Sequence, residues 1–184
     1  MARPAQISRD AILEASLDLA DRGGVDAVTM QAVAARLDVT PMALYRHVRN
    51  KAELLDGLVE GLLGEVEIPP EDLPPEKRLP AFAGSIRQVA RRHPTLFPLL
   101  LMRPATTPES RRVRDAVCAA LEQLGLDRDE ARRAERLIST AVLGFAASEA
   151  AGRFGRHPRR VVDEDFACLQ QVIAEALARA IEQR

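Results

Sequence analysis

The stretch TMQAVAARLDVTPMALYRHVRNKAELL, residues 29–55, decides how this chain is read. Thr29 is an N-cap residue type, and Val33, Ala34 and Leu37 repeat after it on one helical face. Asp38 marks a turn, since aspartate tolerates left-handed backbone better than most residues other than glycine. Thr40-Pro41 restarts the chain: threonine caps, and proline fits the first helical position, where no intrahelical donor is lost. The spacing predicts a short helix from about Pro41 to Val48. Asn50-Lys51-Ala52-Glu53 then follows the capping-box pattern. It opens a longer helix with Leu54, Leu55, Leu58, Leu62 and Leu63 on its apolar side. Helix, tight turn, helix and capped third helix is a helix-turn-helix arrangement.

Upstream, residues 1–7 read as a loose arm. Ser8 caps a support helix with Asp10 in its first turn and Ile12, Ala15 and Leu19 on its inner side, stopped by Gly23-Gly24. Downstream, EIPPEDLPP, residues 67–75, holds four prolines in nine positions and cannot be helix interior. The boundary is placed there, giving an N-terminal helix-turn-helix domain over 1–66 and a second helical domain over 67–184. In the second, helices are expected over about 76–92, 95–102, 107–123, 127–151 and 163–182. Thr107-Pro108-Glu109 and the capping box Asp127-Arg128-Asp129-Glu130 start two of them. The fold class is all-α, with about nine helices.

Composition agrees. Of 184 residues, 47% are hydrophobic and 3% aromatic, enough apolar mass for a core built on Leu and Ala. The net charge of −1 is unusual for a nucleic-acid binder, but phosphate contact depends on the local face. Between Arg36 and Lys51 the chain carries Arg36, Arg46, Arg49, Lys51 and His47 against Asp38 alone. Cys118 and Cys168 form neither a disulfide framework nor a metal-ligand pattern and read as buried, inert thiols. No secretory leader and no membrane-length apolar run is read, so a cytoplasmic protein is expected. No Gly-rich phosphate loop, Cys/His metal spacing or nucleophile motif appears, so neither an enzyme nor a cofactor is expected. Glu65 and Glu67 read as a helix end.

A helix enters the major groove only if its exposed face is not needed for packing. In Pro41–Val48, Leu44 and Val48 turn inward. Pro41, Met42, Ala43, Tyr45, Arg46 and His47 are left outside, mixing small apolar groups with an aromatic hydroxyl and cations. Apolar groups can meet thymine methyls, and Tyr, Arg and His can reach phosphates. The helix start at Asn50 offers backbone N–H groups to a phosphate, with Lys51 beside it.

These residues closely resemble the DNA-binding region of the TetR (tetracycline-repressor) family over roughly residues 8–65. The resemblance is carried by Thr29, Ala34, Leu37, Val39-Thr40, Leu44-Tyr45, Asn50-Lys51 and Leu54-Leu55. His47-Val48-Arg49-Asn50-Lys51 looks most like the tetracycline-repressor subgroup. Asp38 departs from it, standing where the family usually has Gly. The resemblance implies a double-stranded DNA operator as partner. Gln31, Pro41, Met42 and Ala43 fall where members touch base edges. Thr29, Met30, Tyr45, His47 and Lys51 fall where they touch phosphate, partly through backbone N–H groups. Thr40, Arg46 and Asn50 complete the expected DNA-binding set.

The second half resembles the family only in architecture. The small residues of 140–152 and Ala174, Ala176, Ala178 and Ala180 suit a homodimer through the last two helices. A small apolar or amphipathic effector is expected among the middle helices, on Phe82, Ile86, Leu99, Met102, Val117, Leu121, Leu137, Ala141 and Phe145, with Arg103, Ser139 and Thr140 as polar contacts. Tetracycline itself is not implied, because the histidine that the drug's metal complex uses late in the fourth helix is missing here; Glu65 and Glu67 stand there. The sequence thus reads as a ligand-responsive repressor on a palindromic operator. A DNA-binding dimer without effector and a helical interaction module that has lost DNA binding stay open beside it.

Overall fold

The structure, a computed structural model, describes residues 7–103 and 107–183. The described residues form eight α-helices and no strand. These are α1 (Arg9–Gly23), α2 (Met30–Arg36), α3 (Pro41–Leu44), α4 (Lys51–Gly64), α5 (Pro75–Arg92), α6 (Pro108–Gln123), α7 (Arg128–Ala150) and α8 (Arg159–Glu182). Val25–Ala27 and Phe97–Leu101 are short 3-10 turns. The second of these takes the place of the apolar helix expected over 95–102. Most of the expected arm, residues 1–6, lies outside the described residues.

Capping chemistry sets most helix starts. The Ser8 hydroxyl accepts from the Ala11 amide (3.1 Å) and that of Thr29 from the Ala32 amide (3.0 Å). Asp127 and Glu130 close a reciprocal capping box on α7. At α4 the expected box is shifted by one residue. Asn50 Oδ1 accepts from the Glu53 amide at 2.9 Å, but Glu53 reaches back to the Arg49 amide at 2.8 Å. Thr40 occupies the cap position of α3 without a side-chain cap bond. Two expected boundaries are corrected. Helix α3 ends at Leu44, and the chain continues to Val48 as a hydrogen-bonded turn. Helix α8 starts at Arg159 rather than Asp163, because Pro158 fits the position before a helix and opens it earlier. Asp38 holds φ 55°, the left-handed conformation expected of the turn.

The core does not break at the proline-rich junction. One apolar cluster joins Ile12, Val33, Leu44 and Leu54 to Val89, Phe97, Val142 and Phe166. A smaller one gathers Leu79, Phe82, Val117, Leu121 and Ala131 between α5, α6 and α7. Helix α4 packs against α1, α6 and the Phe97–Leu101 turn. His93, at the end of α5, is buried with Nδ1 3.4 Å from Asp21 of α1 and Nε2 3.1 Å from Glu65 at the end of α4. The Thr95 hydroxyl donates to the Ala20 carbonyl at 3.0 Å. Both halves are therefore bonded across the junction.

At the other end, Arg87 is buried under an aromatic cluster. Its guanidinium sits 4.5 Å from the Phe166 ring centroid and 5.5 Å from that of Phe145, which in turn packs on Phe154. Along α8 the expected stripe divides: Phe166 is buried, whereas Leu169, Ile173, Leu177 and Ile181 are half-buried. Ala174, Ala176, Ala178 and Ala180 are exposed. Cys168 is exposed as well and Cys118 is half-buried, so neither is the fully buried thiol that was expected.

Candidate nucleic-acid interface and effector cavity

Leu44 and Val48 are buried, and this fixes what the turn after α2 presents outward. Gln31, Thr40, Pro41, Arg46, His47 and Asn50 are exposed, Met42 is 72% exposed and Tyr45 48%. Ala43 and Thr29 are half-buried. Met30 departs from the rest: its side chain is buried in the core, which leaves only its backbone for outside contact.

The local surplus of positive charge is smaller than the residue count suggests. Arg36 donates to Asp18 of α1 at 3.0 Å, and Arg49 is paired with Glu53 at 3.0 Å. Both carboxylates are held below their ordinary range, Asp18 first by the Arg36 hydrogen bond and Glu53 first by the Arg49 amide. The Lys51 ammonium lies 3.4 Å from the Val25 carbonyl oxygen. Arg46 and His47 have no ion-pair partner among the described residues. Asp18 and Glu53 lie outside residues 36–51, so the cations of that stretch are balanced from beyond it.

The cavity is an opening of about 840 Å³ bounded by α4, α5, the Phe97–Leu101 turn, α6 and α7. Val59, Leu62, Leu63, Val66, Ile86 and Val113 give it an apolar wall. Ser110, Cys118, Glu135, Ser139 and Thr140 add polar atoms. Of the expected lining, Ile86, Arg103, Ser139 and Thr140 are on the wall. The others are elsewhere, five of them packed against other side chains. Phe82, Val117 and Leu121 are spent on the smaller core cluster, and Leu99 on the larger. Met102 is 72% and Leu137 69% exposed. Phe145 stacks on Phe154 and Phe166, and half-buried Ala141 is not on the wall. Helix α4 supplies what they do not. Its apolar residues go round more than one face, a signal readable in the spacing of Val59, Leu62 and Leu63, and Val66 follows just past its end.

Burial pushes the Cys118 thiol up, the charges of Glu135, Asp115 and Glu122 push it further, and Arg114 works against them. Glu135 is 7% exposed, and its Oε1 accepts a 2.7 Å hydrogen bond from the Ser139 hydroxyl.

Helix α4 is tied to the cavity's rim at both ends. Arg103 donates to Asp56 at 2.6 Å and to the Ala52 carbonyl at 3.3 Å. Glu60 Oε1 accepts from the Glu109 amide at the start of α6 (2.8 Å). Arg112 of α6 donates to the Leu63 carbonyl (3.0 Å) and the Val66 carbonyl (3.1 Å) at the end of α4.

Two family models match the chain. Residues 12–58 match the bacterial regulatory proteins of the tetR family, and residues 79–177 match the tetracyclin repressor-like C-terminal domain. The chain belongs to the tetR family. Among curated members, an HTH-type transcriptional regulator of Saccharopolyspora erythraea is 32% identical over 148 residues, 80% of this chain and 63% of its own length. The HTH-type transcriptional repressor DrrR1 of Streptomyces coeruleorubidus is 29% identical, over 87% of this chain and 60% of its own. The chain thus spans under two thirds of either relative. The tetracycline repressor protein class A from transposon 1721 of Escherichia coli is 43% identical, but only over 60 residues, 33% of this chain and 28% of its own length. Among solved structures, the TetR family protein ActR of Streptomyces coelicolor in complex with actinorhodin superposes with a TM-score of 0.85 at 24% identity, covering 96% of this chain and 98% of that one. Mycobacterium smegmatis BioQ does so with a TM-score of 0.82 at 22% identity, covering 94% and 99%. These likenesses establish the all-helical fold. Among the described residues no helix is long and apolar enough to cross a membrane.

Proposed function

We propose that this chain is a cytoplasmic transcriptional repressor that binds a palindromic DNA operator as a homodimer and is released from it by a small molecule. The observation that carries the reading is the face made by Gln31, Pro41, Met42, Ala43, Tyr45, Arg46 and His47. It is largely solvent-facing, held by buried Leu44 and Val48, and its cations Arg46 and His47 have no ion-pair partner among the described residues. Gln31, Pro41, Met42 and Ala43 approach base edges. Thr29, Thr40, Tyr45, Arg46, His47, Asn50 and Lys51 meet phosphate and sugar, with Met30 contributing only its backbone. The exposed face of α7 and α8, with Val172 57% exposed, supports a second copy docking there. A dimer places two such faces on half-sites about 34–36 Å apart.

The release mechanism follows from linkage. An effector that prefers a conformation in which the two reading faces are wrongly spaced weakens DNA binding by the factor by which DNA weakens effector binding. Helix α4 begins beside the DNA face at Lys51 and ends on the cavity wall at Leu62 and Leu63, so displacing one end moves the other. A DNA titration with and without saturating effector tests this. Unchanged affinity removes the effector from the account and leaves a DNA-binding dimer without one.

A further inference from the structure

Glu135 is the carboxylate to explain. It is buried on the wall of the α4–α7 cavity, its Oε1 accepts from Ser139, and no arginine, lysine or histidine among the described residues pairs with it. The other acidic groups of the wall, Asp115 and Glu122, are exposed and hydrated. A carboxylate withdrawn from water without a cation is costly, and a bound molecule that supplies the cation recovers that cost.

The wall also carries arginines, which would favour an anion. Their positions decide against it. Arg103 is committed to Asp56 and the Ala52 carbonyl. Arg114 has Asp115 at 3.7 Å. Arg128, Arg132 and Arg136 are exposed at the rim, where water and salt screen them. An amphipathic molecule entering this opening lays its apolar part on Val59, Leu62, Val66 and Ile86 and meets buried Glu135 rather than an uncommitted buried guanidinium. Ser139, Ser110 and Thr140 can take further donors or acceptors.

Resting on the reading of this cavity as the effector site, we infer that the effector is an apolar molecule bearing a protonated amine, and that Glu135 receives the ammonium. Ser139 is a positioning residue that holds Glu135 Oε1. The cavity volume of about 840 Å³ accommodates a molecule of drug size.

The test uses three probes of one chain length, decylamine, decanol and decanoate, each at micromolar concentration, with binding to the full chain measured by calorimetry. Decylammonium is expected to bind about tenfold or more tighter than decanol, and decanoate more weakly still. Glu135→Gln should bring decylammonium to within about threefold of decanol, and Ser139→Ala should move it part of the way. Arg132→Ala should leave the order unchanged. Tightest binding by decanoate, an amine preference that survives Glu135→Gln, or no binding by any probe overturns the inference. The same probes are then added to the protein on DNA. Decylammonium that binds through Glu135 yet leaves DNA affinity unchanged keeps this assignment and removes the effector reading. Release by decanoate alone does the reverse.

Discussion

The carboxylate of Glu60, on α4, accepts a hydrogen bond from the backbone amide of Glu109, in the first turn of α6, at 2.8 Å. Arg112, one turn further along α6, returns the contact by donating to the Leu63 and Val66 carbonyls where α4 ends. Each helix satisfies groups that the other's terminus leaves open. A shift of α6 therefore carries α4 with it. Arg112→Ala should reduce the ratio of DNA affinities measured without and with effector, while leaving effector-free DNA affinity near wild type. Losing two bonds to carbonyls should also cost about 1–3 kcal/mol of stability. An unchanged ratio in a folded variant would mean that coupling runs by another route.

The charges on the DNA face are unequal. Among the described residues Arg46 has no ion-pair partner, whereas Arg49 is held by Glu53. Arg46→Ala should weaken binding across DNA sequences and lower the slope of log affinity against log salt by about 1. Arg49→Ala should change that slope little. Equal effects from the two would contradict the pairing seen on this face.

The turn between α2 and α3 rests on Asp38 at φ 55°. A β-branched residue is strained there, so Asp38→Val should destabilise the chain by about 1–2 kcal/mol. Asp38→Gly should stay within about 1 kcal/mol of wild type, since glycine relieves the strain but frees the unfolded chain. Thermal unfolding of the two variants separates these outcomes.

The far end of the molecule should respond to acid. Glu149 accepts from Arg87 at 2.6 Å and from Arg91 at 2.8 Å, and Arg91 also reaches Asp163 at 2.5 Å. Burial works against the ionised form of Glu149, but the two arginines outweigh it and hold the carboxyl below its ordinary value of 4.5. Asp163 is held low first by the Arg91 hydrogen bond. For carboxyls lowered in the folded state, the stabilisation is complete above the unfolded value and is lost as pH falls through the folded one. The unfolding midpoint should be flat above about pH 5 and fall from about pH 4.5 downward. Glu149→Ala leaves buried Arg87 with Asp163 at 2.9 Å and the Val162 carbonyl at 3.2 Å, and should cost about 1–3 kcal/mol near neutral pH. A pH-independent midpoint between 3 and 6, on the order of magnitude that linkage sets, would contradict this.

The helix-turn-helix was legible because its information is local. Thr29, Asp38, Pro41 and Asn50 each dictate backbone within a few residues, and Leu44 and Val48 fix the outward face. The cavity was only partly legible. Apolar spacing on α5, α6 and α7 identifies inward residues, but does not say whether an inward residue meets another side chain or a void. Phe82, Val117 and Leu121 met side chains, while Ile86 met the void. Leu137 was misplaced because α7 has apolar residues on an outer face too. The pairing of Arg36 with Asp18 joins residues 18 apart in sequence, which no window around the motif contains.

The central claim is tested most directly by selecting bound sites from random duplex DNA with the whole chain and measuring salt-dependent affinity for the winner. The account predicts a recovered site with dyad symmetry, its half-sites about one helical turn or a multiple of it apart, and sharply weaker binding by the Tyr45→Ala, Lys51→Ala double variant. A chain that recovers no site and shows no salt-dependent affinity for any duplex contradicts it.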